Sequence, residues 1–396
     1  MELLTGKLRH YPWGSRELIA QLRGDQEASD RPEAELWFGA HPGGSATVGD
    51  AALVDVIAAD PAGQLGERVR ARFGDELPFL LKILAAAEPL SLQAHPTPEQ
   101  AADGFQRENA LGIDLAADNR NYKDANHKPE LIVALTEFEA MAGFRPLAKT
   151  LELFDRLGST EVERYLAMLD RSPEREAADL RVLFTTWITI PGGSRSTLID
   201  DIVASAAQQL ADPQLPDWMR EELSNVVELH NRYPNDVGVL GALLLNKFTL
   251  QPGEGLYLDA GELHAYVSGL GVEIMANSDN VLRGGLTSKH VDVPELVRVL
   301  RFESLADPRV IPERNGDCLH FPTPIDEFTL RQCVLGSAVP VEHDGPVIVL
   351  VTDGTAELTC DDQQLTVPAG TAAWVPATDG TVTLQPTGAT VFIATV

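Results

Sequence analysis

Three short segments of this sequence gather side chains that hold divalent metals. Ser91-Leu92-Gln93-Ala94-His95-Pro96 sets an amide oxygen and an imidazole two residues apart. Tyr122-Lys123-Asp124-Ala125-Asn126-His127-Lys128-Pro129-Glu130 ends on a carboxylate that opens the apolar run 131–135. A carboxylate buried beside such a run needs a counter-charge, and a metal ion is one. The stretch 253–266 delivers a second imidazole, His264, just after Gly261. Gln93, His95, Glu130 and His264 together offer two nitrogen and two oxygen ligands. That set suits a zinc ion with one position left open for substrate, and the lack of thiolates argues against a structural zinc. Iron, cobalt and manganese fit the same donors.

The ligands meet only if the surrounding elements bring them together. In a strand, Gln93 and His95 face the same way because side chains alternate. Residues 77–84 form a dense apolar run broken by Lys82 and read as a buried strand. The stretch 253–266 reads as a strand, a tight glycine turn and a second strand starting near His264. Residues 98–121 turn polar and Ala-rich, which predicts a short helix and a loop. Residues 146–246 read as helical. Ile199, Ile202, Val203 and Leu210 share a face behind a capping box of Thr197 and Asp200. Met219, Leu223, Val226, Val227 and His230 repeat the pattern until Pro234 stops it, with His230 partly exposed. Beyond Gly253 strands return, with an apolar run at 347–351 and an alternating pattern at 381–384, punctuated by Asp344-Gly345, Asp353-Gly354 and Asp379-Gly380 turns. The fold class is mainly β with a helical insertion: two jelly-roll units plus an α-helical domain.

Composition narrows the function. At 396 residues the chain is long enough for two or three folded units. Acids outnumber bases 59 to 31, a formal charge of −28, which excludes general nucleic-acid or anionic-membrane binding. An anionic substrate needs a local cluster of cations, since screening over a Debye length of about 8 Å removes only part of the repulsion. Cys318, Cys333 and Cys360 are odd in number and form no CxxC, so no disulfide framework is expected and the cytoplasm is the expected compartment. The N-terminus lacks the apolar core of a signal peptide, and no apolar stretch reaches the roughly 20 residues of a membrane span.

The segment 253–266 resembles the second metal motif of cupins, with Gly253, Gly261 and His264 in place and Asp259 where proline is usual. Pro368-Ala369-Gly370-Thr371-Ala372-Ala373 resembles the same turn with alanine in place of histidine, so the C-terminal unit is read as a jelly roll without metal. More specifically, SLQAHP, YKDANHKPE, GELHAY and NSDNVLRGGLTSKH resemble the signature segments of type I mannose-6-phosphate isomerases. YPWGS, ELWFGAHPGGSA and LPFLLKIL add to the likeness, which runs to about Phe302. The resemblance implies a cytoplasmic, monomeric isomerase of a phosphorylated sugar. Its zinc ligands fall on Gln93, His95, Glu130 and His264, and its catalytic arginine on Arg283. Other active-site positions fall on Trp13, Lys82, Ser91, His127, Lys128, Tyr266, Glu273, Asp279 and Lys289. It also implies units at 1–145 with 247–320 (a catalytic, cupin-type jelly roll), 146–246 (helical) and 321–396 (a second jelly roll). Gly284 and Ser288 stand where alanine and proline are frequent in the family.

Moving a carbonyl between adjacent carbons requires a proton transfer and a home for negative charge on oxygen. Zinc polarises that oxygen, and Arg283 adds a second positive charge. The base needs a pKa near the working pH. Lys82, lowered by burial and a nearby cation, is one choice; Glu273 is a rival, and His127 suits ring opening. Lys82, Lys128, Arg283 and Lys289 are expected to form the positive pocket for the phosphate. Two other classes fit parts of the pattern: a sugar-binding cupin without catalysis, and an iron oxygenase using two histidines and a carboxylate.

Overall fold

A computed structural model describes all residues, Met1–Val396. The strands Glu35–Phe38, Phe79–Ala86, His264–Ala276 and Glu130–Ala134 run side by side, all antiparallel. Their register sets Trp37 opposite Lys82, Lys82 opposite Glu273, and Glu273 opposite Ile132. Alternation then sorts each strand. Leu36, Phe38, Leu81, Ile83, Val272, Ile274, Leu131 and Val133 face outward into a core shared with the C-terminal unit. Lys82, Glu273 and Glu130 face inward. Both faces are buried, which is why 77–84 reads as one continuous apolar run.

The strand His264–Ala276 serves two layers. Its first residues pair with Leu92–Ala94 and Phe138–Phe144, and its second half pairs with Phe79–Ala86 and Glu130–Ala134. The change of partner occurs around Gly269, at φ 119°, where an added Cβ would lie 2.6 Å from the Glu137 carbonyl oxygen. Only glycine fits that bend.

Residues 146–246 supply the helices Leu147–Leu157, Thr160–Leu166, Glu176–Ile188, Gly192–Leu210, Asp217–Arg232 and Gly238–Ala242. Their apolar faces share one core with Leu92, Ala94, Leu263, Leu282 and Leu286, so the insertion backs the strands that carry the metal ligands. Met219, Leu223 and Val226 are buried, His230 is half-buried, and the helix ends at Arg232 ahead of Pro234. The Thr197–Asp200 capping box does not form. The helix starts six residues earlier, after Pro191, and the Thr197 hydroxyl donates to the Gly193 carbonyl from within it. Burial of Leu198, Ile199 and Ile202 carries the weak helix formers Gly192 and Gly193 into the first turn.

The C-terminal unit is a sandwich. A nine-stranded sheet faces a four-stranded sheet of Val339–Val341, Val382–Leu384, Thr355–Cys360 and Gln363–Pro368. The larger sheet takes strands from both ends of the chain. Glu2–Thr5 pairs with Ala372–Val375, and Thr47–Val48 and Ala51–Ala52 extend that edge. The sheets therefore cross the segment boundaries expected from sequence. The expectation of no disulfide is corrected: Cys318 and Cys333 are direct cross-strand partners and are bonded. They are 15 positions apart in sequence, and only the register of Cys318–Phe321 against Thr329–Val334 brings them together. Cys360 is free and buried. No helix is long and apolar enough to cross a membrane.

Candidate metal centre

His95, Glu130 and His264 come together, with one ligand atom from each within 4.8 Å of the others; no other group of histidine, cysteine, aspartate or glutamate side chains does so. The two imidazoles are oriented alike. His95 Nδ1 lies 2.7 Å from the Asn280 carbonyl and His264 Nδ1 lies 2.9 Å from the Glu262 carbonyl. A carbonyl only accepts, so each Nδ1 carries a proton, and a neutral ring then leaves its Nε2 lone pair free for a metal. Both Nε2 atoms point at the Glu130 carboxylate, 3.4 Å from its oxygens. His95 Nε2 is buried and has no hydrogen-bond partner. Burial, with Lys128 nearby, lowers the His95 pKa to about 4, which keeps the ring neutral. Burial alone would push Glu130 up, but the Lys128 ammonium holds it well below the usual carboxylate range. Two lone pairs facing a carboxylate repel one another unless a cation sits among them. The donors therefore fit a zinc ion, and the carbonyls of Asn280 and Glu262 fix the ligand tautomers from behind.

The fourth expected ligand lies beside this group. Gln93 is directly opposite His264 on one side and Arg283, in the strand Leu282–Gly285, on the other. Directly opposed residues share a face, so Arg283, Gln93 and His264 form one row across three strands. Gln93 Nε2 donates to Ser91 Oγ at 3.3 Å, which leaves its amide oxygen for a metal. Asn280, fully buried, ties the row to the second segment. Its Oδ1 accepts from the Lys123 backbone at 2.7 Å and its Nδ2 donates to the carbonyls of Asp124 and Asn126. Sequence reasoning passed over Asn280. Asp259, in the usual proline position, accepts from the Ala260 backbone and faces Arg301, so the turn is held by polar contacts instead of a ring.

A cleft beside the ligands is lined by Gln93, Lys82, Lys128, Glu130, Tyr266 and Glu273. Lys82 Nζ donates to Glu273 at 2.7 Å and lies 4.0 Å from Glu35. Burial opposes the ammonium, but Glu273, Glu35 and Glu130 outweigh it and raise its pKa. Glu273 and Glu35 thus favour the ammonium of Lys82, whereas the role of base calls for the neutral amine. Glu273 moves the other way, because burial raises its pKa against the pull of Lys82. Tyr266 Oη is buried without a hydrogen-bond partner, and burial raises its pKa well above the ordinary value. Glu35 was missed from sequence; it accepts from Trp37 Nε1 at 2.7 Å and completes the charge set around Lys82. The signal was available, since a lone charge within the apolar strand ELWF parallels Lys82 in LPFLLKIL.

Of the remaining expected positions, Lys128 and Arg283 lie at the site and the others are dispersed. Lys128 Nζ contacts Glu130 at 2.7 Å. Trp13 packs half-buried against the cluster that contains Tyr266 and stacks on Tyr11. His127 lies in a separate cleft with Arg72 and Asn126, where Nε2 meets Glu327 at 2.6 Å. Asp279 is turned toward His41 at 3.5 Å and half exposed. Lys289 is exposed, and its pKa is lowered first by partial burial and then by Arg283 and Lys123. Burial also lowers the Arg283 pKa, and no carboxylate neighbours its guanidinium. The largest cleft, about 780 Å³, lies between the two β units and includes none of the metal ligands.

Comparison with known proteins agrees with this geometry. Residues 1–147 match the family description "Phosphomannose isomerase type I, catalytic domain". The mannose-6-phosphate isomerase of Escherichia coli K12 is 38% identical over 97% of each chain, and that of Bos taurus is 32% identical over 92% of this chain and 90% of its own. The structure of mannose 6-phosphate isomerase from Salmonella typhimurium bound to fructose 6-phosphate and zinc superposes with a TM-score of 0.88 at 35% identity, covering 99% of this chain and 98% of that one. A relative this similar over the full length, with the same signature segments converging on one metal-binding group, means that the chain belongs to the type I phosphomannose isomerase family.

Proposed function

We infer that this chain is a zinc-dependent aldose–ketose isomerase that interconverts mannose 6-phosphate and fructose 6-phosphate through an enediolate. The observation that carries this reading is the pair of Nε2 atoms, each set by an Nδ1–carbonyl contact behind it, aimed at one carboxylate. Zinc held by His95, His264, Glu130 and Gln93 would supply a Lewis acid for the sugar's carbonyl oxygen.

The chain's own groups supply the rest. Glu273 is the proposed base, taking the proton from one carbon and returning it to the next. Its raised pKa brings it nearer the working range, and Lys82 fixes its orientation. The row Arg283–Gln93–His264 supports Arg283 as the second positive charge beside the reacting oxygens. Lys82 and Lys128 are each engaged by a carboxylate, so the phosphate is assigned to the cationic end formed by Lys289 and Lys123, on the far side of Arg283 from the metal ligands. Tyr266 walls the cleft, Trp13 packs against the apolar cluster that holds Tyr266, and Ser91 orients Gln93. His127 and Asp279 keep roles outside the reacting centre.

A monomer is the state we propose. Its large exposed apolar side chains, such as Leu111, Met168 and Ile311, are scattered along the sequence. Residues 1–145 with 247–320 are the working catalytic unit, 146–246 the helical unit and 321–396 the second jelly roll. A coupled assay with mannose 6-phosphate, before and after chelation and zinc restoration, tests the activity. Turnover lost to chelator and recovered with zinc is expected. Turnover indifferent to chelation, or dependent on iron with oxygen uptake, contradicts it.

A further inference from the structure

Arg283 has no carboxylate neighbour to hold its guanidinium, so its position depends on its backbone. The strand Leu282–Gly285 ends in an unusual turn. Gly285 has φ 130°, and Leu286, which is not glycine, has φ 54°. A left-handed leucine persists only where its surroundings fix it. Two contacts from the helical insertion do so. The Asp236 Oδ1 accepts from the Leu286 backbone N–H at 2.7 Å and from the Gly238 N–H, also at 2.7 Å. Gly238 and Gly285 lie backbone to backbone: a Cβ on either would come within 2.5 Å of main-chain atoms of the other or of Leu286. The Leu286 side chain is buried in the helical core. One carboxylate oxygen thus joins the first turn of the short helix Gly238–Ala242 to the turn three residues beyond Arg283.

We propose that Asp236 is a positioning residue for the reaction, holding the Arg283 strand end at its place in the row with Gln93 and His264 by pinning Leu286 to the helical insertion. The proposal rests on the role given to Arg283 above. It makes the insertion a part of the active site's rigidity. Loosening a substrate-orienting group by about 1 Å can cost on the order of 10²-fold.

Two substitutions separate position from charge. Asp236→Asn keeps an acceptor oxygen in place and loses the charge; Asp236→Glu keeps the charge and displaces the oxygen. Asp236→Glu is expected to lower kcat/KM for mannose 6-phosphate by about ten- to a hundredfold, with zinc content unchanged. Asp236→Asn is expected to stay near the parent. In an Arg283→Ala background, Asp236→Glu is expected to have little further effect, because the group it positions is gone. Equal activity of Asp236→Glu and the parent overturns the proposal. So does an undiminished effect in the Arg283→Ala background, or loss of zinc in parallel with turnover. Arg283→Ala alone reports on the underlying reading: if it leaves turnover intact, the role of Arg283 fails, whatever Asp236 does.

Discussion

The two jelly-roll units use the same turn for opposite ends. Gly261 (φ 81°) and Gly370 (φ 78°) both open a left-handed turn into a strand. Three residues after the first comes His264; three residues after the second comes Ala373. In the first unit the interior holds Lys82, Glu273, Glu130 and Glu35, all buried. In the second it holds Val349, Val351, Val391, Ile393 and Leu358. The outer faces of the two units pack against each other through Leu36, Phe38, Ile83, Leu350, Trp374 and Phe392. The backbone device is shared, and the chemistry follows from which side chains it carries.

The largest effect should come from making the first unit resemble the second. His264→Ala is expected to lose zinc and to lower kcat/KM by at least about 10²–10³-fold, the range for removing one preorganised electrostatic group. Metal analysis and the coupled assay measure both, and retention of zinc with full turnover would break the comparison.

The turns also differ in their response to pH. Glu262 follows Gly261, whereas Thr371 follows Gly370 and merely donates to the Pro368 carbonyl. Burial first, against the pull of Arg301, raises the Glu262 pKa from 4.5 to about 7. A carboxyl whose folded pKa is raised favours the folded state below its unfolded pKa, and that advantage is lost as pH rises through the folded value. Glu262→Gln, neutral throughout, should therefore gain stability over the parent between roughly pH 4.5 and 7, by at most about 3 kcal/mol. Denaturant midpoints of the metal-free proteins at both ends of that window check it; a constant difference contradicts it.

The converse substitution, Ala373→His, should not create a second zinc site, because Val349, Val351 and Ile393 surround it and offer no ligand. It should cost about 1–3 kcal/mol through overpacking, read as a lower melting temperature at unchanged zinc stoichiometry. The smallest effect is expected from His127→Asn. The separate cleft and Glu327 partner of His127 predict a change in kcat far short of the roughly 10²–10⁴-fold that loss of a proton-transfer group costs.

Much of this was legible in the sequence where the information was local. The Gly261–His264 turn, the carboxylate opening an apolar strand at Glu130 and the helical stripe at Met219, Leu223 and Val226 follow from fixed offsets along the chain. What failed to show depends on register between distant strands. Lys82 and Glu273 are 191 residues apart, and only strand register brings them into an ion pair. Cys318 and Cys333 lie opposite one another for the same reason. The Thr197 cap failed because a local capping pattern lost to the packing of the whole helix.

The central claim is that one ion occupies the space between the two Nε2 atoms and Glu130. A crystal of the zinc-loaded protein, measured at the zinc absorption edge, tests it most directly. A single anomalous peak about 2.0–2.2 Å from His95 Nε2, His264 Nε2, a Glu130 oxygen and the Gln93 amide oxygen is the expected result. A peak elsewhere, or one that touches only one imidazole, would contradict it.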